Sequence, residues 1–429
     1  MDFETHLKKY LKDEDIKALL MALIEKDYHA AILNTSKMAD ETFLKLYPHV
    51  KKHPIVPHAY LYDKNEYPLG KSLEHELGAF YLQEPSAMLP AYFLNAKEND
   101  KVLDLCSAPG GKTIQSALLM HNKGVIIAND IDKSRCQAIL ENVERLGLTN
   151  VVITNNDFAS IYQEYLDYFD KIILDAPCSG SGMFRKLETM KDDWSINKVY
   201  KYAAIQKELI LMAYKMLSKG GEMVYSTCSF SYEENEEVID YLLKNSDAQI
   251  VDIPAESSLY KDKKLPYGVH TFPHLFKGEG HYICLINKPG EKKIKKDKKE
   301  NKKSTYAFLK DYKIVNKYGN YIFAINDEIK TKKLNIVRFG LKIGQNIKNN
   351  EIKYDYHYAR SLSTFANIYP LTKEELISIL KGETINTKIN KGEYLLTYNN
   401  LNVCIAKSDG RILKNNYPKA RRKDFSKLY

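Results

Sequence analysis

From Lys101 onward the chain alternates short apolar runs with stretches of helical periodicity. VLDL, GVIIAND, NVVITNND, KIILD and EMVYSTCS each read as a buried strand closing on a polar or thiol residue. Between them IQSALLM, ILENVERLGL and residues 200–217 predict helices, the last capped by Lys219, Gly220 and Gly221. Strands and helices in this alternation predict a doubly wound α/β unit with a parallel sheet. Earlier, Leu7, Leu11, Ile16, Leu19, Leu20, Leu23 and Ile24 recur near helical spacing and are expected to be core, until Pro48, Pro54, Pro57 and Pro68 break the pattern. The first 75 or so residues therefore predict a small helical and irregular module. A helix over LEHELGAFYLQ is expected to run into QEPSAMLPAYFL, where Gln83, Glu84, Pro85 and Ser86 form either a polar loop facing a pocket or a plain helix junction. A polar loop is expected after DAPCSGSGMFRK as far as Trp194, and EENEEVIDYLL predicts a helix whose first acids suit its dipole. Residues 250–280 are loop-rich, and HTFPHLFKGEGHYICLINK reads as a closing hairpin arm.

A length of 429 residues suggests two or three domains. Dividing the net charge of +9 changes the picture more: residues 291–429 hold 31 Lys and Arg against 14 Asp and Glu, leaving residues 1–290 with 33 against 41. The basic end is where a polyanion would be held, a solvated tail being the alternative. EKKIKKDKKENKK, with eight lysines, three acids and no apolar periodicity, reads as a flexible solvated linker. Beyond it lies a small mixed domain. Its YDYHYAR and NNYPKARRK segments can stack bases and pair phosphates, although such tyrosines are also ordinary sheet residues. The charged start MDFETHLKKYLKDED has no signal-peptide pattern. The apolar run at residues 18–24 is far short of the roughly 20 residues that span a bilayer, so a cytoplasmic chain without membrane contact is expected.

Six cysteines, Cys106, Cys136, Cys178, Cys228, Cys284 and Cys404, lack the paired spacing of zinc sites or disulfides and fit a reducing compartment. His270, His274 and His281 have no second ligand cluster beside them, so no metal is expected. The segment DAPCSGSGMF ends KIILD with an acid, a proline and Cys178, and EMVYSTCS delivers Cys228 about fifty residues later to what should be the same sheet edge. An isolated strand cysteine is most often an ordinary buried residue. Two at matching strand ends, each beside a small polar residue, point instead to one pocket. A thiolate is the side chain best suited to adding to carbon 6 of cytosine, which makes the otherwise electron-poor carbon 5 reactive toward a methyl donor. An acid facing ring nitrogen 3 would stabilise that adduct, and a second thiol would help release it.

After VLDL, the turn CSAPGGKT opens a helix, so its glycines let the backbone approach a ligand while the helix start presents free amides. Neither the GxGxxG nor the GxxxxGK[ST] spacing is present. A proline and two adjacent glycines suit a compact carboxylate and amino head group better than a pyrophosphate. Asp130, about 25 residues past the first strand, is placed for ribose hydroxyls and Asp157 for an adenine edge. Each acid taken alone is more often a cap or turn residue.

VLDLCSAPGGKT, LDAPCSGSGMFRK and YSTCSFSYEENEEVI, in that order, resemble the RNA 5-methylcytosine methyltransferases of the Nol1/Nop2/Sun family, in the layout of the bacterial RsmF-type ribosomal RNA enzymes, over about residues 75–288. NVCIAKSDGRILKNNYPKARR more weakly resembles the PUA-like RNA-binding module attached to such enzymes. The resemblance implies an RNA-binding helical extension at 1–75, a Rossmann-like methyltransferase domain at 76–288, a lysine-rich linker at 289–303 and a PUA-like α+β domain at 304–429. It implies that Cys106, Ser107, Ala108, Pro109, Gly110, Gly111 and Lys112 cradle S-adenosylmethionine, with Arg135 on the same cofactor, Asp130 on its ribose, Asp157 near its adenine and Asp175 beside both its methionine moiety and the target base. Cys228, in TCS, would be the nucleophile, and Cys178, in PCS, would assist release. Analogy with DNA cytosine methyltransferases would choose Cys178 instead, yet their Glu-Asn-Val tripeptide occurs here at Glu141, Asn142 and Val143, in a helical pattern ahead of both thiols, and is read as coincidence. The implied reaction is methylation of cytidine carbon 5 in RNA by a monomer, with 16S ribosomal RNA the leading substrate and transfer RNA the second. Two other classes stay open. An exocyclic amine methyltransferase normally carries DPPY or NPPY where this chain has DAPC, and a cofactor-binding RNA-assembly factor would form no covalent intermediate.

Overall fold

The computed structural model describes residues 2–185, 188–254, 256–292, 312, 314–347 and 351–426. Helices α1 (Phe3–Leu7) and α2 (Asp13–Ala22) come first. Their apolar stripe is buried at Leu7, Leu11, Ile16, Leu19 and Leu23 against Phe184, Phe230 and Phe272 of the following unit. Ile24 departs from the expectation: it lies past the end of α2 and is 82% exposed. The expected irregular stretch is an antiparallel sheet. Its strands β1 (His29–Leu33), β2 (Lys51–Lys52), β3 (Ala59–Tyr62) and β4 (Phe80–Gln83) lie in the order β2-β3-β1-β4, with α3 (Asp40–Leu46) and α4 (Leu73–Glu76) between them in sequence. Of the helix expected over LEHELGAFYLQ, only α4 forms. Gly78, at φ +72°, turns the chain into β4, and a Cβ there would run into the Arg145 carbonyl oxygen.

Helix α5 (Leu89–Leu94) leads into the central unit, in which β5 (Lys101–Asp104), α6 (Gly111–Leu119), β6 (Val125–Asn129), α7 (Lys133–Leu146) and β7 (Val151–Thr154) are followed by α8 (Phe158–Glu164) and β8 (Phe169–Asp175). Then come α9 (Glu188–Asp193), α10 (Ile196–Met216), β9 (Leu217–Thr227), α11 (Glu236–Asn245), β10 (Gln249–Val251), β11 (Val269–His270) and β12 (Tyr282–Asn287). Five strands run parallel in the order β9-β8-β5-β6-β7, and β12 lies antiparallel on β9. Successive strand residues face opposite layers. Val102, Ile126, Ile173 and Val224 pack with α5, α6 and α7, whereas Leu103, Ile127, Ile172 and Tyr225 pack with α8, α10 and α11. This is the doubly wound core that the alternating pattern predicts. Strand order reverses between β5 and β8, and such sheets bind ligands in the crevice beyond their carboxyl ends at that point.

Two local expectations fail. The loop before Trp194 contains α9. Helix α10 is not capped at Lys219, Gly220 and Gly221, because its C-cap, Leu217, is already extended and begins β9, within which Gly220 sits at φ +71°.

Residues 293–303 of the lysine-rich stretch lie outside the described residues. After them come β13 (Ile314–Tyr318), β14 (Tyr321–Ile325), β15 (Ile336–Phe339), β16 (Leu341–Asn346), β17 (Ile352–Tyr354), α12 (Tyr356–Ser361), β18 (Ile368–Pro370) and α13 (Lys373–Lys381). The last elements are β19 (Ile385–Asn386), β20 (Gly392–Tyr398), β21 (Leu401–Ser408) and β22 (Ile412–Lys414). Two further sheets result, β13-β14-β16-β17 and β18-β20-β21-β22-β19, while β15 pairs antiparallel with β7 at the edge of the central sheet. One apolar cluster joins Leu33, Phe43 and Phe80 of the N-terminal unit to Leu376, Leu396 and Val403. The C-terminal part is therefore anchored on both preceding units.

That docking changes the reading of the aromatic and basic segments. Tyr356, His357, Tyr358 and Arg360 of YDYHYAR are buried, because α12 packs between α7 and β21. The Arg360 guanidinium donates to the carbonyl oxygens of Arg145 and Glu76. Arg338 and, from NNYPKARRK, Arg421 reach Glu144 on α7 at 2.6 and 3.0 Å. These groups hold the protein together instead of offering a free surface to RNA.

Candidate active site

The carboxyl ends of β5, β6, β8 and β9 each contribute a part. After β5 the chain turns sharply, with Ser107 donating from its amide and hydroxyl to the Asn129 carbonyl at 2.8 and 2.9 Å. Gly110, at φ +106°, is the N-cap of α6. Asp130, buried past the end of β6, accepts from the Ala108 amide at 3.1 Å, and Arg135 on α7 donates to the Ala108 carbonyl at 2.7 Å. Asp130 and Arg135 thus brace the turn formed by Cys106, Ser107, Ala108, Pro109, Gly110, Gly111 and Lys112. Asp157 stands apart from these contacts as the exposed N-cap of α8, accepting from the Ser160 amide at 2.7 Å. Asp104, the last residue of β5, is a further carboxylate at this turn. Thr113 donates to its Oδ2 at 2.6 Å, and its Oδ1 is buried without a hydrogen-bond partner. Burial pushes its carboxyl up to about 7.

At the end of β8, Asp175 accepts from Lys112 Nζ at 2.7 Å on one oxygen and from Ser226 Oγ at 2.6 Å on the other. Burial alone would raise this carboxyl, but the Lys112 charge, then His281 and the two hydrogen bonds, hold it below the usual carboxylate range. Burial likewise opposes the charge on Lys112, and Asp175 more than restores it.

Cys178 and Cys228 come from adjacent parallel strands, and their sulfurs lie 3.3 Å apart, both partly accessible. The Cys178 thiol is pushed well up, first by its hydrogen bond to Cys228 and then by burial, with Glu234 and Asp175 adding to the effect. Either sulfur can be the donor in this contact. Gly182 seats the second sulfur: its amide donates to the Cys228 carbonyl at 2.8 Å, and a Cβ there would lie 2.9 Å from that oxygen and 2.7 Å from the Gly280 carbonyl.

Sequence reasoning missed Ser226, Glu234, Gly182 and His281 as parts of the site. Ser226 lies two residues before Cys228 in the strand-like run, so period-two alternation signals their shared face. His281 appeared only as a possible metal ligand. It is buried, bonded through Nδ1 to Ser86 Oγ at 2.9 Å, and close enough to Asp175 to act on its charge. Glu84 accepts from the amides of Ser86, Ala87 and Glu279, so the polar turn beside the site begins at Glu84, directly after β4 ends at Gln83. His270 pairs instead with Glu236 at 2.7 Å.

Known families match the chain in three stretches: 16S rRNA methyltransferase RsmB/F at residues 91–287, the N-terminal domain of 16S rRNA methyltransferase RsmF at 1–85, and the methyltransferase RsmF PUA domain at 366–423. A ribosomal RNA small subunit methyltransferase F from Shewanella piezotolerans is 34% identical over 433 residues, covering 91% of this chain and 90% of its own. The chain belongs to the RsmB/F family of 16S rRNA methyltransferases. Another RsmF relative, from Vibrio campbellii, is 31% identical over 461 residues, covering 97% of this chain and 95% of its own. Among solved structures, a methyltransferase homologue from Pyrococcus horikoshii aligns with TM-score 0.59 at 28% identity, over 66% of this chain and 93% of that one. NSun6 from the same organism shares the fold, with TM-score 0.61 at 22% identity over 68% and 98% of the two chains. In this RsmB/F member both thiols, Lys112, Asp175 and Glu234 fall inside the 91–287 match. Among the described residues no cluster of metal ligands occurs and no helix is long and apolar enough to cross a membrane.

Proposed function

We propose that this chain methylates carbon 5 of cytidine in 16S ribosomal RNA, with S-adenosylmethionine as methyl donor and a covalent bond from Cys228 to carbon 6 as intermediate. The observation that carries this reading is the 3.3 Å approach of two sulfurs from separate strands, beside a carboxylate paired to lysine. An exocyclic amine methyltransferase has no use for such a pair.

The residues present suit the donor. The start of α6 offers amides without intrahelical partners, and the orphaned Asp104 oxygen and the buried Asp130 carboxylate offer acceptors. Cys106, Ser107, Ala108, Pro109, Gly110, Gly111 and Lys112, with Asp130, Arg135, Asp157 and Asp175, would hold S-adenosylmethionine, which when bound supplies an electrophilic methyl group. The Cys228 thiolate adds to carbon 6 of an unstacked cytosine, forming a carbon–sulfur bond and shifting electron density toward nitrogen 3 and carbon 5. Nitrogen 3 takes up a proton from solvent, Asp175, held ionised, accepts a hydrogen bond from it, and the proton returns to solvent when the sulfur leaves. Once carbon 5 carries the methyl group, a base removes its hydrogen as a proton. Those electrons re-form the carbon 5–carbon 6 double bond, and the sulfur of Cys228 leaves with the carbon–sulfur electrons. Cys178, kept protonated, donates a hydrogen bond to the departing sulfur.

We place RNA-binding roles in residues 1–75 and 304–429, catalysis in 76–288 and a linker at 289–303, in a cytoplasmic monomer. Bisulfite sequencing of ribosomal and transfer RNA from a deletion strain tests the substrate. Loss of 5-methylcytosine from 16S RNA supports this reading. Loss confined to transfer RNA replaces the substrate, and no loss in either refutes the reaction.

A further inference from the structure

The acidic run after YSTCS contributes more than a favourable charge at a helix start. Glu234 closes the single turn Tyr232–Glu234 ahead of α11 and is fully buried, with no cation within ion-pair distance among the described residues. Its carboxylate gathers donors from three elements. Ser179 donates to it from both its amide, at 2.8 Å, and its hydroxyl. Ser229 donates its hydroxyl, and Gln206 on α10 donates at 3.2 Å while also reaching the Pro177 carbonyl at 2.8 Å. Pro177 and Ser179 flank Cys178, and Ser229 follows Cys228. The two serine hydroxyls lie 3.2 Å from each other, a spacing close to that of the neighbouring sulfurs. The Tyr225 hydroxyl, on the strand that carries Cys228, fixes the Glu234 carbonyl at 2.6 Å.

A buried carboxylate without a cationic partner is costly to fold, and its desolvation is offset here only by donors that adjoin the reacting residues. We infer that Glu234 is a positioning residue for the methylation reaction, a clamp that fixes the PCS and TCS loops to each other and so sets the distance between the two cysteine sulfurs. It touches neither substrate nor donor and acts through Ser179, Ser229 and Gln206. Adduct formation and release both depend on that sulfur geometry, whereas RNA contacts elsewhere do not.

This inference rests on the reaction proposed above, and one set of full-length variants separates the two. Wild type, Glu234→Gln, Ser179→Ala and Ser229→Ala are compared for turnover on RNA substrate, for S-adenosylmethionine binding, and for trapping on RNA containing 5-azacytidine. Glu234→Gln replaces one acceptor oxygen with a donor facing the same serines. It should lower kcat by about 10²-fold, as misplacement of reacting groups by about 1 Å does, with KM for RNA and cofactor affinity nearly unchanged. Combining it with Ser179→Ala and Ser229→Ala should add little further loss, because all three act through one contact. Full turnover in Glu234→Gln, a loss expressed in KM alone, or losses that simply multiply with those of the serine variants would overturn the clamp. If Glu234→Gln does not bind cofactor because it is unfolded, the serine variants decide: unchanged kcat in both overturns it, and a fall in kcat at constant KM upholds it. Failure of wild type to be trapped at all would instead remove the underlying reaction.

Discussion

Cys178 lies 3.3 Å, sulfur to sulfur, from Cys228, and its hydrogen bond to that sulfur and its burial both push its thiol up. In the proposed reaction this thiol supports the departing sulfur of Cys228 and does not itself attack the ring. Cys178→Ala should therefore still attack ordinary cytidine and then release it slowly. A protein–RNA band resistant to denaturant should accumulate during turnover, and its rapid disappearance would remove the assigned role. Asp175→Asn should keep the fold while cutting turnover by about 10²-fold or more, since it removes both the partner of Lys112 and the acceptor offered to nitrogen 3. Wild-type kcat in that variant would contradict the account. At this scale the approach of the two thiols was legible, because cysteines beside Pro and Thr at the ends of two strand-like runs have few structural uses. Glu234, Ser226 and Gly182 were not legible, since an acid, a serine and a glycine have many uses and only contact geometry selects one.

Strands β8 and β9 lie parallel and adjacent, with Asp175 opposite Ser226, so the loops that follow them emerge side by side. The tight packing of DAPCSGSGMF under the second loop is what aligns their sulfurs. Gly182→Ala should push the Cys228 carbonyl away from its seat and cost most of the activity. Cofactor binding, proposed for the turn after β5, should survive. Titration calorimetry and turnover on one preparation check this, and equal loss of both would show that the substitution merely unfolds the unit. The parallel core was readable because its strands are continuous apolar runs separated by clear helices. The N-terminal sheet was not, since β2 has two residues and β3 and β4 four each, interrupted by prolines and by a glycine that turns a helical pattern into a strand. Strand β15 was hidden for another reason: its partner, β7, lies far away in sequence, and no local pattern announces so long-range a pairing.

Across the whole molecule, Glu144 marks where the C-terminal part is fastened. Burial would raise its carboxyl, but Arg338, His357 and Arg421 bring it down to about 2. Its folded value lies below the unfolded one, so its stabilisation is present above about pH 4.5 and is lost as pH falls toward about 2. Glu144→Gln should lower the free energy of urea unfolding at neutral pH by about 3 kcal/mol, because the buried Arg338 and the partly buried Arg421 lose their partner. The deficit should shrink as the parent is acidified through that window, and a deficit constant with pH would contradict the assignment. The basic balance of the C-terminal third suggested RNA binding from sequence alone. Which cations face outward was not readable, and Arg338, Arg360 and Arg421 prove to be internal fasteners. The central claim concerns one sulfur and is tested most directly by mixing full-length protein with 16S RNA containing 5-azacytidine in the presence of S-adenosylmethionine, then denaturing and resolving the products. Wild type should migrate as a covalent protein–RNA species and Cys228→Ala should give none. Trapping by Cys228→Ala, or its absence in wild type, would contradict the account.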